Sequence, residues 1–344
     1  MVEELDATAF QPHDSPEDYI LGSTDRIWLD RGVGLIESTY YAPDVLIHGA
    51  LGTEKGVRGV VEGTVMSIAS YPDELAGGED VVWERRGTDA FISSHRVYIR
   101  ATNEGWTQYG PPTNRPTAKR ALAHCLVRQG RIVEEWVVRD EYSLVRDLGL
   151  NPEETARNLA GSMSPSALEL GELPSNVGRE TLSGVRVGSS EVTDLMVDLT
   201  DIVWNQRRFD ELGKFVHEDV VLHTTRGRWR NGTRDYSTDL ISLLAAFPDA
   251  QLSLLDLCVH DDPVKGRRAA TMWVLDGTYS GSPMYGPTTN QPMRILGSSQ
   301  YRLGSDGRIV EEFRVFDEMA IMIEIERHRL GTSTIENGSP ADHE

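Results

Sequence analysis

The apolar positions of this chain change period twice, in the same way each time. In the second half, Leu195, Leu199, Ile202 and Val203 recur at helical spacing, which predicts a helix over residues 191–207. In the first half, Ser15-Pro16-Glu17-Asp18 reads as an N-cap followed by proline at the first helical position. A short second helix follows at residues 35–40 or 209–216, then a short strand at 45–48 or 220–223. A third helix, over 64–70 or 238–246, stops at a Pro-Asp turn. From there the pattern alternates, predicting strands over 80–84, 91–100, 118–128 and 131–140, and again over 251–260, 269–275, 294–303 and 308–316. Arg-Gln-Gly and Ser-Asp-Gly join the last two strands of each set into hairpins. Helices followed by a run of strands predict an α+β fold, with the helices on one face of a curved antiparallel sheet.

The two halves are copies. Tyr109-Gly-Pro-Pro-Thr-Asn-Arg-Pro116 returns from Tyr285 with 6 of 8 positions identical, and Gly130-Arg-Ile-Val-Glu-Glu-Trp-Val-Val-Arg-Asp-Glu141 returns from Gly307 with 9 of 12. The offsets are 176 and 177 residues, so one residue has been inserted between the motifs. Asp25-x-x-Trp28, Asp44 to His48 and Tyr71-Pro-Asp73 recur in the same order. This is a tandem duplication. It gives a first domain over 14–150, a linker rich in Ser, Gly and Glu over 151–190 with a candidate short helix from Pro152 to Leu159, a second domain over 191–330 and a polar tail over 331–344.

Composition narrows the partners. The net charge of −20 repels phosphate backbones and anionic lipid, so neither nucleic acid nor membrane is an expected partner. No apolar run is long enough for a membrane helix, and the acidic N-terminus lacks a signal-peptide pattern, so a cytoplasmic location is expected. Cys125 and Cys258 stand alone in strand-like runs, without metal-ligand or redox spacing, and read as buried thiols. Neither a metal nor a cofactor motif is present; phosphate loops, nucleophile elbows and HExxH are all missing.

Candidate chemistry lies on the last strand. Alternation puts Ile132, Glu134, Trp136, Val138 and Asp140 on one face, and Ile309, Glu311, Phe313, Val315 and Asp317 likewise. A carboxylate closing such a stripe is partly desolvated and made more basic, unless it caps a turn or pairs with arginine. Glu134 and Glu311, beside the turn, read as solvated. His48 and His223 end short strands and are candidates for orienting a carbonyl or partnering the aspartate. Trp28, Tyr40 and Trp204 on the helices suit an aromatic pocket, and equally a core. Tyr98, His95 and His124 enrich the first copy in proton-transfer groups; Val274, Thr271 and Tyr301 stand at the corresponding places, so if one copy has lost activity, the second is expected to be that one. Arg58 and Arg234 match across copies as candidate carboxylate binders, and Tyr109 and Tyr285 open turn-forming loops.

The Asp-Val-x-x-His strand, the Pro-Thr loop and the Gly-Arg-Ile-Val-Glu-Glu-Trp-x-x-x-Asp ending resemble the SnoaL-like polyketide cyclase branch of the nuclear transport factor 2-like superfamily, in both copies nearly end to end. The resemblance implies two cone-shaped α+β barrels, each with an apolar cavity between sheet and helices. It implies cofactor- and metal-free chemistry, with Asp140 and Asp317 as acid–base residues. The Gly-x-His-x-Gly of many relatives is replaced by Arg100-Ala-Thr-Asn-Glu and Asp276-Gly-Thr-Tyr-Ser.

Two function classes stay open. One is a cofactor-free lyase, cyclase or isomerase acting on a mid-sized aromatic or polyketide-like molecule, with Asp140, Asp317, His48 and His124 as catalytic candidates and Trp28, Tyr40, Tyr98, His95, Trp136, His223, Trp204 and Tyr301 around the substrate. The alternative is a small-molecule binding protein using the same cavity without turnover. In either, one copy packs on the other as an intramolecular pseudo-dimer, with a further homodimer of the whole chain left open.

Overall fold

The computed structural model describes residues 5–162 and 191–336. Helix α1 (Pro16–Thr24) starts where Ser15 Oγ accepts from the Asp18 backbone N–H at 3.1 Å, and it continues as a wide helical turn over Asp25–Leu29. A second wide turn, Ile36–Tyr40, leads into strands β1 (Tyr41–Gly49) and β2 (Gly52–Lys55), helix α2 (Val57–Ser70), and strands β3 (Leu75–Arg85), β4 (Ala90–Thr102), β5 (Pro116–Arg128) and β6 (Arg131–Arg139). Helices α3 (Glu141–Asp147) and α4 (Pro152–Ser162) close the first half. The second half repeats this as α5 (Glu191–Asp198), wide turn Leu199–Asn205, 3-10 turn Phe209–Lys214, β7 (Val216–Thr224), β8 (Arg228–Asn231), α6 (Gly232–Ala246), β9 (Gln251–Asp262), β10 (Gly266–Thr278), β11 (Pro292–Leu303), β12 (Ile309–Phe316) and α7 (Glu318–Glu336).

Two six-stranded sheets result, in the equivalent orders β2-β1-β6-β5-β4-β3 and β8-β7-β12-β11-β10-β9. Only β1 with β6 and β7 with β12 pair in parallel. Each sheet is curved around its own helices, so the fold is a tandem of two α+β cones. Among the described residues, no helix is long and apolar enough to cross a membrane.

Several elements escape the hydrophobic pattern for physical reasons. β2 and β8 are four-residue edge strands without an apolar alternation, paired to β1 and β7. α2 and α6 start six or seven residues before the predicted helices, at Gly56 and Asn231, neither of which makes a side-chain cap bond. α7 is apolar almost all round at its start, with Met319, Ala320, Ile321, Met322, Ile323 and Ile325 buried, so it shows no one-sided stripe. It packs against α4, whose Ala156, Leu159 and Ala160 join the second core. The linker expected over 151–190 thus begins with a packed helix, and its residues 163–190 lie outside the described residues. The expected tail is helical to Glu336, and the remainder lies outside the described residues.

The inserted residue falls in the last hairpin turn. Val127 pairs with Ile132 and Leu303 with Ile309, so β5 and β11 are offset by 176 residues and β6 and β12 by 177. This corrects one equivalence: Tyr301 pairs with Glu312 as Cys125 pairs with Glu135, so Gln300, not Tyr301, stands at the place of His124.

A second correction concerns the last strand. The pairing of β5 with β6 slips between Leu126 and Val127, and that of β11 with β12 between Arg302 and Leu303. These bulges reverse the alternation. Ile132 and Ile309 face the cores inside the cones, while Trp136 and Val138, with Val315, turn to the opposite face. The predicted common stripe is therefore broken at its first residue.

The opposite faces of the two sheets meet. Leu122 and Val138 pack with Met272, Val274, Leu296 and Val315, and Val82 and Ile92 pack with Cys258 and Ala270. Polar groups stitch this contact: Arg86 donates to Asp256 at 2.9 Å, Gln300 Nε2 to the Ser94 carbonyl at 2.9 Å, and Arg268 to Asp80 and to the Val81 carbonyl. Arg96 bonds Gln300 Oε1 at 2.8 Å and lies 3.5 Å above the Phe313 ring.

The two cones are filled differently. Trp273, 2% exposed, lies across the second cone against Trp204 and Phe316, and donates from Nε1 to Ser299 Oγ at 3.2 Å. Gly297 permits this, since a Cβ there would stand 2.1 Å from the indole. The first cone has Val97 and Ala121 at these places. Likewise α6 buries Tyr236, Leu240, Leu243, Leu244 and Ala246, whereas α2 buries only Thr64 and Ser70 and leaves Val57, Val60 and Val61 part-accessible. Trp273→Ala is therefore expected to destabilise the protein by about 3–5 kcal/mol in chemical denaturation, a cost that Val97→Ala, with far less volume to lose, does not approach.

Candidate active site

The bulge that reverses β6 sends the second glutamate of the Val-Glu-Glu run inward. Glu135 pairs with Cys125 and Ile47, both on the interior side of the first cone. Tyr41 Oη donates to Glu135 Oε2 at 2.9 Å. Among the described residues, no cation bonds this carboxyl. Burial raises its pKa above the usual carboxylate range, partly offset by the Tyr41 bond and by the Arg139 charge. Burial, and then the Glu135 charge, push the Tyr41 phenol well up. On the same interior face sits His95, 4% exposed, with Nδ1 3.4 Å from Thr24 Oγ1 and no protein partner for Nε2. Burial lowers its pKa to about 4, so the imidazole is neutral near pH 7.

The equivalent carboxyl of the second cone is clamped. Glu312 receives Arg314 Nε at 2.8 Å and Nη2 at 2.9 Å, and Tyr236 Oη also donates to it. Arg314 bonds Asp239 and lies 5.0 Å from the Trp204 ring. Trp204 and Tyr301 belong to this packed core, with Tyr301 Oη 3.3 Å from Thr271 Oγ1. In the first cone, Trp28 is half-buried against the core, and buried Tyr40 stands 3.1 Å from His13 Nε2.

Other candidates lie outside the cones. Asp140 caps α3: it accepts from the Ser143 backbone at 3.1 Å, from Ser143 Oγ at 2.7 Å and from the Arg226 backbone across the domain boundary at 2.8 Å. Asp317 caps α7 through the Met319 and Ala320 N–H groups at 2.9 and 3.0 Å. Burial, then the nearby Glu141 and Asp140 charges, push the Asp317 carboxyl up to about 8. His48 bonds Thr53 Oγ1 at 2.8 Å and Glu134 Oε1 at 2.9 Å while stacking on Trp136; His223 bonds Glu311 Oε1 at 3.2 Å while stacking on Phe313. Glu134 and Glu311, read as solvated, are thus histidine partners, and the His223 bond, with Arg302, holds the Glu311 carboxyl down to about 2. His124, 1% exposed, reaches Ser298 Oγ of the second domain at 2.9 Å, and burial, then Arg86, lower its pKa to about 3. Tyr98 is 37% exposed at the domain junction. Arg58 and Arg234 are exposed.

Each Tyr-Gly-Pro loop is tied to the end of its own last strand. Tyr109 Oη donates to Glu141 Oε2 at 2.8 Å and Tyr285 Oη to Glu318 Oε1 at 3.1 Å. Among the described residues, only His217, Glu218 and Asp219 bring potential metal ligands together, on β7, largely exposed and remote from Glu135 in the fold.

Residues 194–325 match the family of SnoaL-like polyketide cyclases. The second domain is SnoaL-like. The first domain repeats the strand order and the motifs of that region. No curated protein matches the sequence. Among solved structures, it is similar to IdmH of Streptomyces antibioticus (23% identity, 40% of this chain and 100% of that one, TM-score 0.34). A SnoaL-like polyketide cyclase of Agrobacterium tumefaciens is also similar (23% identity, 40% and 98%, TM-score 0.32), as is TsrD of Streptomyces laurentii (16% identity, 43% and 100%, TM-score 0.36).

Two outcomes follow for the strand-end aspartates. Asp140→Ala, which removes a helix cap and orphans the Arg226 N–H, should cost about 1–3 kcal/mol by urea denaturation. Asp317, raised in the folded state above the unfolded value near 4, binds a proton more tightly folded than unfolded, so its contribution falls as pH rises from about 4 to about 8. Asp317→Asn keeps the cap acceptor and removes this titration. Its stability relative to wild type should grow between pH 5 and pH 8; a flat difference would show that Asp317 is not raised.

Proposed function

We propose that the first SnoaL-like domain is a cofactor-free acid–base catalyst, of cyclase, lyase or isomerase type, acting on a mid-sized aromatic or polyketide-like molecule. The observation that carries this reading is Glu135, an inward carboxyl without an ion pair among the described residues, in the cone whose apolar lining stays part-accessible. A carboxyl raised by burial is suited to accept a proton from carbon near neutral pH and to return it. Tyr41 fixes one carboxyl oxygen, leaving the other to face substrate, and neutral His95 offers a second polar contact on the same face. The second domain, with its carboxyl held by Arg314 and its cone filled by Trp273, serves as the packing partner.

A binding protein without turnover is the second reading. What favours it is that both strand-end aspartates serve as helix caps, Asp140 through both oxygens and Asp317 through Oδ1.

Aromatic, lactone and polyketide-like compounds, incubated with the full chain and followed by mass spectrometry, separate the two. Glu135→Gln should lower turnover of any converted compound by at least about 100-fold with an unchanged thermal midpoint, whereas Glu312→Gln should lower stability instead. Compounds that bind wild type unconverted, and Glu135→Gln equally well, would replace the enzyme reading with the binding one. Because each sheet's outer face is covered by the other, the chain should run as a monomer in light scattering; a dimer would require a different surface.

A further inference from the structure

The internal repeat creates two related hollows at the domain junction, one beside each strand-end aspartate. One is lined by Asp317, Ala320 and Glu324 with Ile295 and Leu296, and is closed by Leu51 to about 20 Å³. Its counterpart, beside Asp140, Ser143 and Asp147, has Lys119 and Arg120 at the places of Ile295 and Leu296, and encloses about 160 Å³. The floor of the open hollow comes from the second domain, through His223, Thr224, Thr225 and Val315. Neither domain alone would form it.

We propose that this open junction hollow binds a small molecule bearing a carboxylate on an aromatic or short apolar body. Three independent features point to that chemistry. Arg146, half-exposed and 3.4 Å from Asp147, is the least tightly held cation of the lining, whereas Lys119, Arg120 and Arg314 are paired with Glu141, Glu79 and Glu312. Both oxygens of Asp140 are already taken by N–H and O–H donors, so its charge is largely compensated locally. Thr224, only 5% exposed, lines the hollow, and its Oγ1 has no hydrogen-bond partner in the protein. A buried hydroxyl without a partner is costly, and an oxyanion in the hollow would satisfy it as an acceptor. Tyr98, 37% exposed at the rim, offers an aromatic face to the body of such a ligand, with Arg120 5.5 Å from its ring. The proposal is independent of chemistry in the first cone.

Titration calorimetry on the full chain, with sodium benzoate and the neutral analogue benzyl alcohol, tests it. Benzoate is expected to bind at one site per chain, and benzyl alcohol at least about tenfold more weakly. Thr224→Val, nearly isosteric, and Arg146→Gln, at a half-exposed position, should each weaken benzoate by about five- to tenfold with thermal midpoints close to wild type. Glu135→Gln should leave benzoate affinity unchanged, whatever it does to turnover. No benzoate binding at millimolar concentration, equal binding of the alcohol, or affinity untouched in both junction variants would overturn the proposal. So would loss of binding in Glu135→Gln alone, which would place the ligand inside the first cone.

Discussion

Burial of both faces of both sheets is the constraint from which the rest of this structure follows. An antiparallel-rich sheet normally packs one face on helices and wets the other. Here Leu122 and Val138 of one sheet meet Met272, Val274, Leu296 and Val315 of the other, so the second face is covered as well. A sheet buried on two sides cannot place polar residues freely. Those on the shared face must be bonded across it, as Arg86, Arg268, Gln300 and His124 are. The cost of losing one such partner is high, because the remaining group stays buried and unpaired.

The same packing assigns work to each copy. The closing strands carry glutamate doublets, and the bulge beside the hairpin turn decides which member points inward. In both copies the first glutamate pairs with a histidine and the second enters the cone. From there the copies diverge. Trp273 over Gly297 and the Glu312–Arg314 pair fill the second interior, while the first has the smaller Val97 and Ala121 at those places and a Glu135 bonded by Tyr41.

The strand-end aspartates show why a motif's place in the chain does not fix its role. Asp140 and Asp317 end the best-matched motif of the repeat, yet Oδ1 of each accepts from the first N–H groups of a following helix. Their neighbours Glu141 and Glu318 receive the tyrosines of the other repeated motif. The two motifs therefore recur together because they touch, whatever else they contribute.

Periodicity and self-similarity alone determined the duplication, the α+β class and most strands, since these depend on local alternation and on matched segments. They also determined that the first copy is the richer in proton-transfer groups, a matter of composition. They did not reveal α7, whose apolar residues surround the helix, or the short edge strands β2 and β8, which carry no apolar alternation. Nor could alternation foresee the bulge, which inserts no distinctive residue and yet moves Glu135 inward and Trp136 to the domain contact. Which face of a strand is interior, which copy is filled, and what lies between the copies are properties of residues far apart in sequence. Only tertiary packing brings those residues together.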